Sequence, residues 1–353
     1  FGLYAVQGSG AVWRRRRVTV CYWDVLNVAD DGINTYPLVR GSTTDVALQP
    51  VEGPTTWATA ASPGGLENVE DQLSVVIRSR AGRVTTRVLQ LRQGSVEPSH
   101  GSVIGYGGRW WAVWASPDAA CACEEIWTAR TMLAPYRAHR TGLHGRTPDL
   151  ANRGNSAVLT WSEGPTVGGH IAYGFPRGGD FTVIKTGYEG FQPVISYAGG
   201  VYRIAYNSSV SGQGRPVLVT RSAGGWRSFD LTTVTGRGLG PTGVDPIFLA
   251  VTGTTVTLAW TTRRADGPWA AMVARRVGGV WSARRVPDGL TGSAGSLATD
   301  LSHVRGRAYL VLDHVGTSRR AVLRHQWWSS GGADRTPLPC QDGAHDACHA
   351  LRR

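Results

Sequence analysis

The chain of 353 residues carries a formal net charge of +12 and is 41% hydrophobic. It is long enough to bury a large core, and no apolar run approaches the ~18 residues that a transmembrane helix needs, which excludes a helical membrane span. No segment shows sustained helical periodicity, so a composition with 47 Gly and 14 Trp favours an all-β chain with many turns.

The positive charge of the chain comes almost entirely from arginine. Lys185 is the only lysine, and the arginines are spread over the chain apart from the run Arg14–Arg17. We interpret this skew as the mark of a GC-rich, actinobacterial genome. A basic stripe would favour nucleic acid or an anionic polymer, whereas an even distribution favours a solvated surface. We expect no nucleic-acid partner, no cofactor and no metal.

Residues 1–44 form the first predicted segment. Residues 1–18 contain two apolar runs around a Gly-Ser-Gly turn and match the second half of a later repeat, with Trp13 equivalent to Trp281. Two alternatives follow: these strands pair with the last repeat, or the other half of their own repeat precedes Phe1 in a longer protein. Residues 19–44 are predicted to be an irregular crossing.

Residues 45–339 contain six predicted repeats, and 188–231 is the clearest of them. Its four short apolar runs are rich in β-branched and aromatic residues and are bounded by Gly, Ser or Asn, which predicts a four-stranded antiparallel meander. Gly199-Gly200 and Gly224-Gly225 are placed where hairpin turns need a positive φ. The four predicted strands are Pro193–Tyr197, Val201–Tyr206, Pro216–Arg221 and Trp226–Leu231.

The repeats have a regular period. Most carry a Gly followed six or seven residues later by an aromatic residue, and these second positions are 54, 47, 45, 54 and 53 residues apart. A period near ~50 residues with four strands is typical of propeller blades. One meander cannot bury both of its apolar faces, but copies stacked around an axis can. We therefore predict an all-β fold, a single β-propeller with six or seven four-stranded blades. The first complete repeat has predicted strands at Asp45–Val51, Thr55–Ala61, Leu73–Ser79 and Val84–Leu91.

The C-terminal segment, 340–353, contains two of the five cysteines. Cys340 and Cys348 bracket a short Gly-containing loop, a spacing that favours a disulfide in a secreted protein. Together with His345 and His349 they could instead hold zinc, but adjacent Cys348 and His349 are awkward ligands for one tetrahedral ion. We favour the disulfide.

The other three cysteines do not form an even set. Cys121 or Cys123 could pair with Cys21, which would leave one thiol free or bonded to another chain.

Three stretches carry a family resemblance: ANRGNSAVLTWSEGP, SYAGGVYRIAYNSS and TRSAGGWRSFDL. They resemble the sialidase-like six-bladed propellers of secreted bacterial proteins, and the third resembles that family's Asp-box turn with Ala223 in place of the Asp. The resemblance covers about residues 45–339 and implies a secreted propeller that binds or hydrolyses carbohydrate. The Arg-Ile-Pro motif of its sialidases is not found, and residues 202–205 are the nearest approach to it.

In a propeller, the loops from strand two to three and from strand four to the next strand one share one edge, where ligands usually bind. Aromatic faces that stack on sugars, with carboxylates and arginines that bond to hydroxyl groups, are how proteins hold sugars. The candidate ligand-binding residues on this edge are Trp114, Trp161, Tyr206, Trp260, Arg146, Asp149, Asp245 and Asp266.

Each candidate has a structural alternative. A recurring aromatic residue is more often a wedge between blades, and an Asp at a strand start more often bonds a turn. Among the aromatic residues, Trp161 and Trp260 are predicted to contact the ligand, and Trp260 to be the more exposed. Asp149 and Asp245 could form the carboxylate pair of a glycosidase if they meet across the axis. No catalytic residue is assigned.

The predicted function is a secreted, lectin-like β-propeller that binds a cell-surface or wall glycan, with a protein partner or a missing N-terminal region. Its fold and composition are similar to those of propeller lectins in umbrella toxins, the secreted antibacterial particles of actinobacteria. A sialidase-like or other glycoside hydrolase is the first alternative. A non-enzymatic scaffold is the second.

Overall fold

The computed structural model describes side chains in 101–286, with gaps at 106–107, 119–122, 132–138, 155, 165–168, 177–180, 209–213, 236–246 and 263–269. Outside 101–286 it describes the backbone of further strands. The chain divides into two compact units, of which the first is Phe1–Gly164 with Tyr173–Ile184 and the second is Pro165–Ala172 with Lys185–Arg353. The boundary between them passes through one of the sheets.

Antiparallel sheets make up unit 1. They have the strand orders β2-β1-β5, β3-β4-β6-β7 and β11-β10-β9-β8, and a sheet ordered β12-β13-β14-β15 contains the boundary. The strands are β1 Gly2–Ser9, β2 Val12–Val20, β3 Trp23–Asp30, β4 Asn34–Gly41, β5 Thr56–Ala58, β6 Gln72–Ser79, β7 Val84–Leu91, β8 Ser99–Tyr106, β9 Arg109–Asp118, β10 Cys123–Arg130, β11 His139–His144, β12 Arg146–Arg153, β13 Ser156–Glu163, β14 His170–Arg177 and β15 Asp180–Glu189.

Unit 2 begins with a meander ordered β16-β17-β18-β19, and one short helix follows it. A second sheet combines the meander β20 to β23 with strands β24 to β26, through a single parallel pair of Trp269 with Gly295. The elements are β16 Phe191–Ala198, β17 Val201–Ser209, β18 Gly214–Ser222, β19 Gly225–Asp230, α1 Thr232–Thr235, β20 Ile247–Thr252, β21 Thr255–Arg263, β22 Trp269–Val277, β23 Val280–Arg285, β24 Ser293–Val304, β25 Arg307–Gly316 and β26 Arg324–Ser329.

The hairpin turns follow from glycine chemistry. Gly199 and Gly200 join β16 to β17 with φ values of +60° and +76°, which confirms a two-residue turn that needs positive φ. In the second glycine pair only Gly225 has a positive φ, of +99°. The turn between β18 and β19 is made by Ala223 and Gly224, since Ser222 pairs with Gly225.

Two second strands are covered on both faces. Seven consecutive residues of β9 are buried, and six consecutive residues of β13. A half-exposed strand would alternate between buried and exposed positions, so an unbroken buried run requires a packing partner on each face. In unit 1 the first strand β8 lies beside β3 and β12, and in unit 2 β16 lies beside β20. The sheets therefore stack through their first strands.

The N-terminal part differs from the predicted arrangement. Two strands, Trp23–Asp30 and Asn34–Gly41, form within the predicted irregular crossing and complete a four-stranded sheet with Gln72–Ser79 and Val84–Leu91. The strand predicted at Thr55–Ala61 forms at Thr56–Ala58 but pairs with Gly2–Ser9 in another sheet. The strand predicted at Asp45–Val51 and the tail with Cys340 and Cys348 lie outside the described residues.

Candidate functional site

We define the crossing edge as the end of each sheet where its second strand ends and where the chain crosses from a fourth strand to the next first strand. Two glycines mark the crossings. In unit 1 the Gly145 amide donates to the Glu124 carbonyl at 2.9 Å, and in unit 2 the Gly190 amide donates to the Gly169 carbonyl at 2.7 Å. These bonds attach each crossing to a strand end on the same edge.

The aromatic residues at the second-strand ends belong to the core. Trp114, Trp161 and Trp260 are 0% exposed and Tyr206 is 3% exposed. A Cβ on Gly145 would lie 2.5 Å from Trp161 Cδ1, so the indole packs directly beneath the crossing. A fully buried ring offers no face to a sugar. The predicted stacking role of Trp161 and Trp260 is therefore wrong, and the packing alternative holds.

Trp260 corrects a further expectation. It was predicted to be the more exposed of the two, yet it lies in one hydrophobic cluster with Ala205, Leu218 and Met272. The polar loop that follows β21 does not expose this ring, because the neighbouring sheet of unit 2 covers it.

Asp149 connects two first strands of unit 1. Its Oδ1 accepts a hydrogen bond from Ser102 Oγ at 2.8 Å, and the same hydroxyl accepts from the Leu150 amide at 3.2 Å. Asp149 thus joins β12 to β8, as the hydrogen-bonding alternative expects. The half-buried Arg146 pairs with Ser162 in the β12–β13 ladder. Asp245 and Asp266 lie outside the described residues.

Two backbone irregularities on this edge were not predicted. Thr147 and Gln192 have positive φ values of 48° and 51°, each in a β-bulge directly after a crossing glycine. Positive φ is rare for a β-branched residue and stores strain on the order of 1–3 kcal/mol. The signal was present as a repeated Gly-x-x-Pro, since Pro148 and Pro193 directly follow the two positive-φ residues.

A polar and aromatic cluster forms on the crossing edge of unit 2. The rings of Tyr188 and Tyr206 lie 6.3 Å apart between centroids. Burial raises the pKa of the Tyr206 hydroxyl above its ordinary value, and nearby Tyr188 and Asp230 raise it further. Tyr206 pairs with Val217, which pairs with Asp230, so the phenol and the carboxylate lie on one face of the sheet.

Two more side chains belong to this face. Ser208 pairs with Arg215, and Ser208 lies two residues beyond Tyr206 on β17, which places all three on the same face. Arg215 is exposed and Ser208 is half-buried. We call this group the Tyr188 site; its members are Tyr188, Tyr206, Ser208, Arg215 and Asp230.

The helix α1 orients the carboxylate of the site. Asp230 Oδ1 accepts hydrogen bonds from the Thr232 amide at 2.8 Å and from Thr232 Oγ1 at 2.7 Å. This is the capping geometry of a helix N-terminus, and it fixes the carboxylate while Oδ2 can accept another donor. The site combines a phenol face, an oriented acceptor and an exposed guanidinium donor. That combination can hold a polyhydroxylated molecule.

A second charged group lies in unit 1. Arg140 Nε donates to the buried Glu125 Oε2 at 2.5 Å, and Arg140 Nη2 lies 3.4 Å from Asp118 Oδ2. Cys123 is disulfide-bonded to a residue outside the described part, and its Sγ lies 3.3 Å from His144 Nδ1. The ion pairs link β11 to β9 and β10, and the disulfide begins at the first residue of β10.

The described residues contain no group of three His, Cys, Asp or Glu side chains that could hold a metal ion. Within the same part of the chain, none of the helices is long and apolar enough to cross a membrane.

Comparison with known proteins identifies the fold. No protein-family model matches the chain, and no curated protein matches it significantly. A six-bladed lectin from Aleuria aurantia superposes with a TM-score of 0.50 over 92% of this chain and 96% of that chain, at 9% identity. The phage phi92 endosialidase superposes with a TM-score of 0.52 over 90% of this chain and 64% of that chain, at 9% identity. The fold is a β-propeller.

The propeller brings together only part of the predicted site. Of the predicted residues, the buried Tyr206 lies beside Tyr188 in the Tyr188 site, while Trp114, Trp161 and Trp260 are buried in the core. Tyr188, Arg215 and Asp230 were not predicted, because they lie on third and fourth strands, whereas the predicted aromatic residues lie at the ends of second strands. Arg215 precedes an unbroken buried run, Pro216–Val219, so no alternation in the sequence marks it as a site residue.

Proposed function

We propose that this chain is a carbohydrate-binding, lectin-like β-propeller and that the Tyr188 site contacts the glycan. The observation that carries the proposal is the grouping of a tyrosine pair, the exposed Arg215 and the oriented Asp230 on one sheet face of unit 2. A half-buried ring supplies apolar contact for a sugar face, while the carboxylate and guanidinium bond to its hydroxyl groups.

The structural neighbours support the same ligand class. The Aleuria aurantia propeller is a lectin with a described mode of fucose recognition, and the phage phi92 propeller is an endosialidase. Carbohydrate is the shared ligand of the two. We extend that class, and not the individual sugar, to this chain.

A glycoside hydrolase on the same fold is the second candidate, because Tyr206 lies near a carboxylate as in a tyrosine-nucleophile site. The number of carboxylates argues against it, because the described part of the site supplies one, Asp230, while most glycosidases use two.

The test is a glycan array with the purified chain, run beside a panel of chromogenic glycosides. We expect the array to show binding to a restricted set of glycans and the glycosides to show no turnover. Turnover would establish the enzyme alternative. The absence of both binding and turnover would contradict the proposal and favour the scaffold.

Tyr188→Ala separates the site from the fold in the same assay. Because Tyr188 is half-buried, its truncation should lower binding by about tenfold or more, with a smaller loss of stability than truncation of a fully buried ring. Arg109→Ala, at an exposed arginine of unit 1, is the matched control and should bind like the wild type.

We further propose that the chain is secreted and acts as a targeting module of a larger assembly, of the kind found in actinobacterial antibacterial particles. The support is the cysteine content, the disulfide at Cys123 and the arginine skew. Peptide mapping without reductant should find Cys340 bonded to Cys348. Two free thiols there, or stoichiometric zinc, would contradict the pairing.

A further inference from the structure

The opposite edge of unit 2, where strands one and two and strands three and four are joined, carries two facing arginines. Ala205 of β17 shares a hydrophobic cluster with Met272 and Ala274 of β22, so these strands face each other across the packed sheets. Arg203 lies two residues before Ala205, and Arg276 lies two residues after Ala274. Because side chains alternate along a strand, both arginines lie on the facing surfaces, at the rim of the cluster.

The registers place further polar and basic side chains around this pair. Arg203 pairs with Ser196 and Thr220, and Thr220 pairs with Arg227, so two hydroxyls and a third, exposed arginine lie in the same row. Across from it, Arg276 pairs with Trp281, whose ring stacks on Phe229 at 5.2 Å between centroids and an interplanar angle of 9°. We call this group the cleft, with Arg203 and Arg227 in one row of the β16–β19 sheet and Arg276 on the facing sheet.

Among the described residues, no acidic side chain neutralises either guanidinium group. Within the described part of the chain, no carboxylate forms an ion pair with Arg203 or Arg276. Arg203 Nη1 donates to the Ala198 carbonyl at 3.1 Å, and Arg276 Nε donates to the Gly279 carbonyl at 3.4 Å. Each guanidinium group therefore donates one hydrogen bond to a turn carbonyl, and its other N–H groups are available to a ligand.

The positive charges of Arg203 and Arg276 repel each other. The pKa of Arg203 is lowered, first by burial and then by the positive charge of Arg276. Two like charges that are partly removed from water destabilise each other unless an opposite charge lies between them. Both arginines are half-buried, so water compensates them only in part.

We propose that the cleft between Arg203 and Arg276 binds an oxyanion, namely a phosphate or sulfate group. Such a group accepts hydrogen bonds from planar guanidinium forks and hydroxyls, and its negative charge relieves the repulsion between the arginines. This site is separate from the Tyr188 site, because it lies on the other edge of the β16–β19 sheet. It would let unit 2 bind an anionic group independently of glycan binding at the crossing edge.

Thermal melts of the whole chain test the proposal. The additions are inorganic phosphate, sulfate and glucose 6-phosphate, each against sodium chloride at equal ionic strength. We expect phosphate or sulfate to raise the melting temperature of the wild type, since a ligand of the folded state stabilises it. A larger effect of glucose 6-phosphate than of inorganic phosphate would identify an ester as the preferred source.

Two variants tie the effect to the cleft. Arg203→Met and Arg276→Met should each weaken phosphate binding by about tenfold or more, because a hydrogen bond between charged partners is lost. Without added anion, Arg276→Met should melt no lower than the wild type, because repulsion is removed. Arg109→Met, which removes one positive charge from the surface of unit 1, should keep the full phosphate response.

Labelling of the wild type with phenylglyoxal, an arginine reagent, gives a second measurement that needs no variant. Mass spectrometry should show that phosphate protects Arg203 and Arg276 while Arg109 reacts at an unchanged rate. An absent wild-type response to phosphate or sulfate, a full response in both methionine variants, or equal labelling with and without phosphate would overturn the proposal.

Discussion

Gly145→Ala gives the sharpest test of how the crossing is built on the buried aromatic residue. The added Cβ would lie 2.5 Å from Trp161 Cδ1 and 2.7 Å from the Ser162 carbonyl oxygen, closer than a methyl group can approach either atom. The indole has little room to move away, because Trp161 is fully buried. The backbone of the crossing must therefore shift.

The magnitude follows from overpacking. Forcing a methyl group into a filled core costs about 1–3 kcal/mol, and here one of the two clashing partners is backbone, so we expect at least about 2 kcal/mol. Gly224→Ala is the matched control, since its only neighbour is Ser222 Oγ at 3.9 Å and its φ is not positive. That variant should lie within about 0.5 kcal/mol of the wild type or be slightly stabilised.

Urea denaturation followed by circular dichroism measures both free energies of unfolding. The combination of Gly145→Ala with Trp161→Leu should cost less than the sum of the two single variants, because the smaller side chain leaves room for the methyl group. Equal stability of Gly145→Ala and Gly224→Ala would refute the reasoning, as would strict additivity in the double variant.

Three further predictions concern the same two units. Tyr206→Phe should reduce the fall in the free energy of unfolding above about pH 10. The raised pKa keeps the Tyr206 hydroxyl protonated in the folded state, so the wild type loses stability as the hydroxyl ionises in the unfolded state. Urea denaturation at a series of pH values measures the difference. Arg140→Leu should lower the free energy of unfolding by about 1–3 kcal/mol, because it leaves the 4% exposed Glu125 without its ion pair. Adding Glu125→Gln to that variant should recover part of the lost free energy, and no recovery would contradict the pairing. Thr147→Gly should stabilise the fold by about 1 kcal/mol in a thermal melt, because it removes positive-φ strain and a buried hydroxyl without a hydrogen bond. A destabilised variant would show that Thr147 does not strain the backbone.

The strands of the clearest repeat could be predicted because their signals are local. The predicted Val201–Tyr206 and Trp226–Leu231 correspond to observed Val201–Ser209 and Gly225–Asp230, and each is bounded by a turn of small residues. Alternation of side chains and the placement of Gly depend only on neighbouring residues, so the sequence contains them.

The N-terminal sheet could not be predicted in the same way. Its order joins Asn34–Gly41 to Gln72–Ser79 across about thirty intervening residues, among which Thr56–Ala58 pairs with a different sheet. A local pattern identifies a strand but not its partner, because pairing between distant strands is decided by packing of the whole sheet.

Of the proposed Tyr188 site, the sequence predicted Tyr206 but not Tyr188, Ser208, Arg215 or Asp230. An aromatic residue that recurs in a repeat can be a wedge or a platform, and only burial distinguishes them: Trp161 and Trp260 are wedges. Asp230 and Arg215 come together with Tyr206 through the registers of three strands, which the sequence does not specify.

The central claim is that the Tyr188 site binds carbohydrate, and a titration of one variant tests it most directly. Isothermal titration calorimetry would use the glycan with the strongest array signal and compare the wild type with Arg215→Ala and Arg109→Ala. Because Arg215 is exposed, its truncation should leave the melting temperature unchanged while weakening binding by about tenfold or more. Arg109→Ala should bind like the wild type. Wild-type affinity in Arg215→Ala, together with wild-type affinity in Tyr188→Ala, would contradict the account.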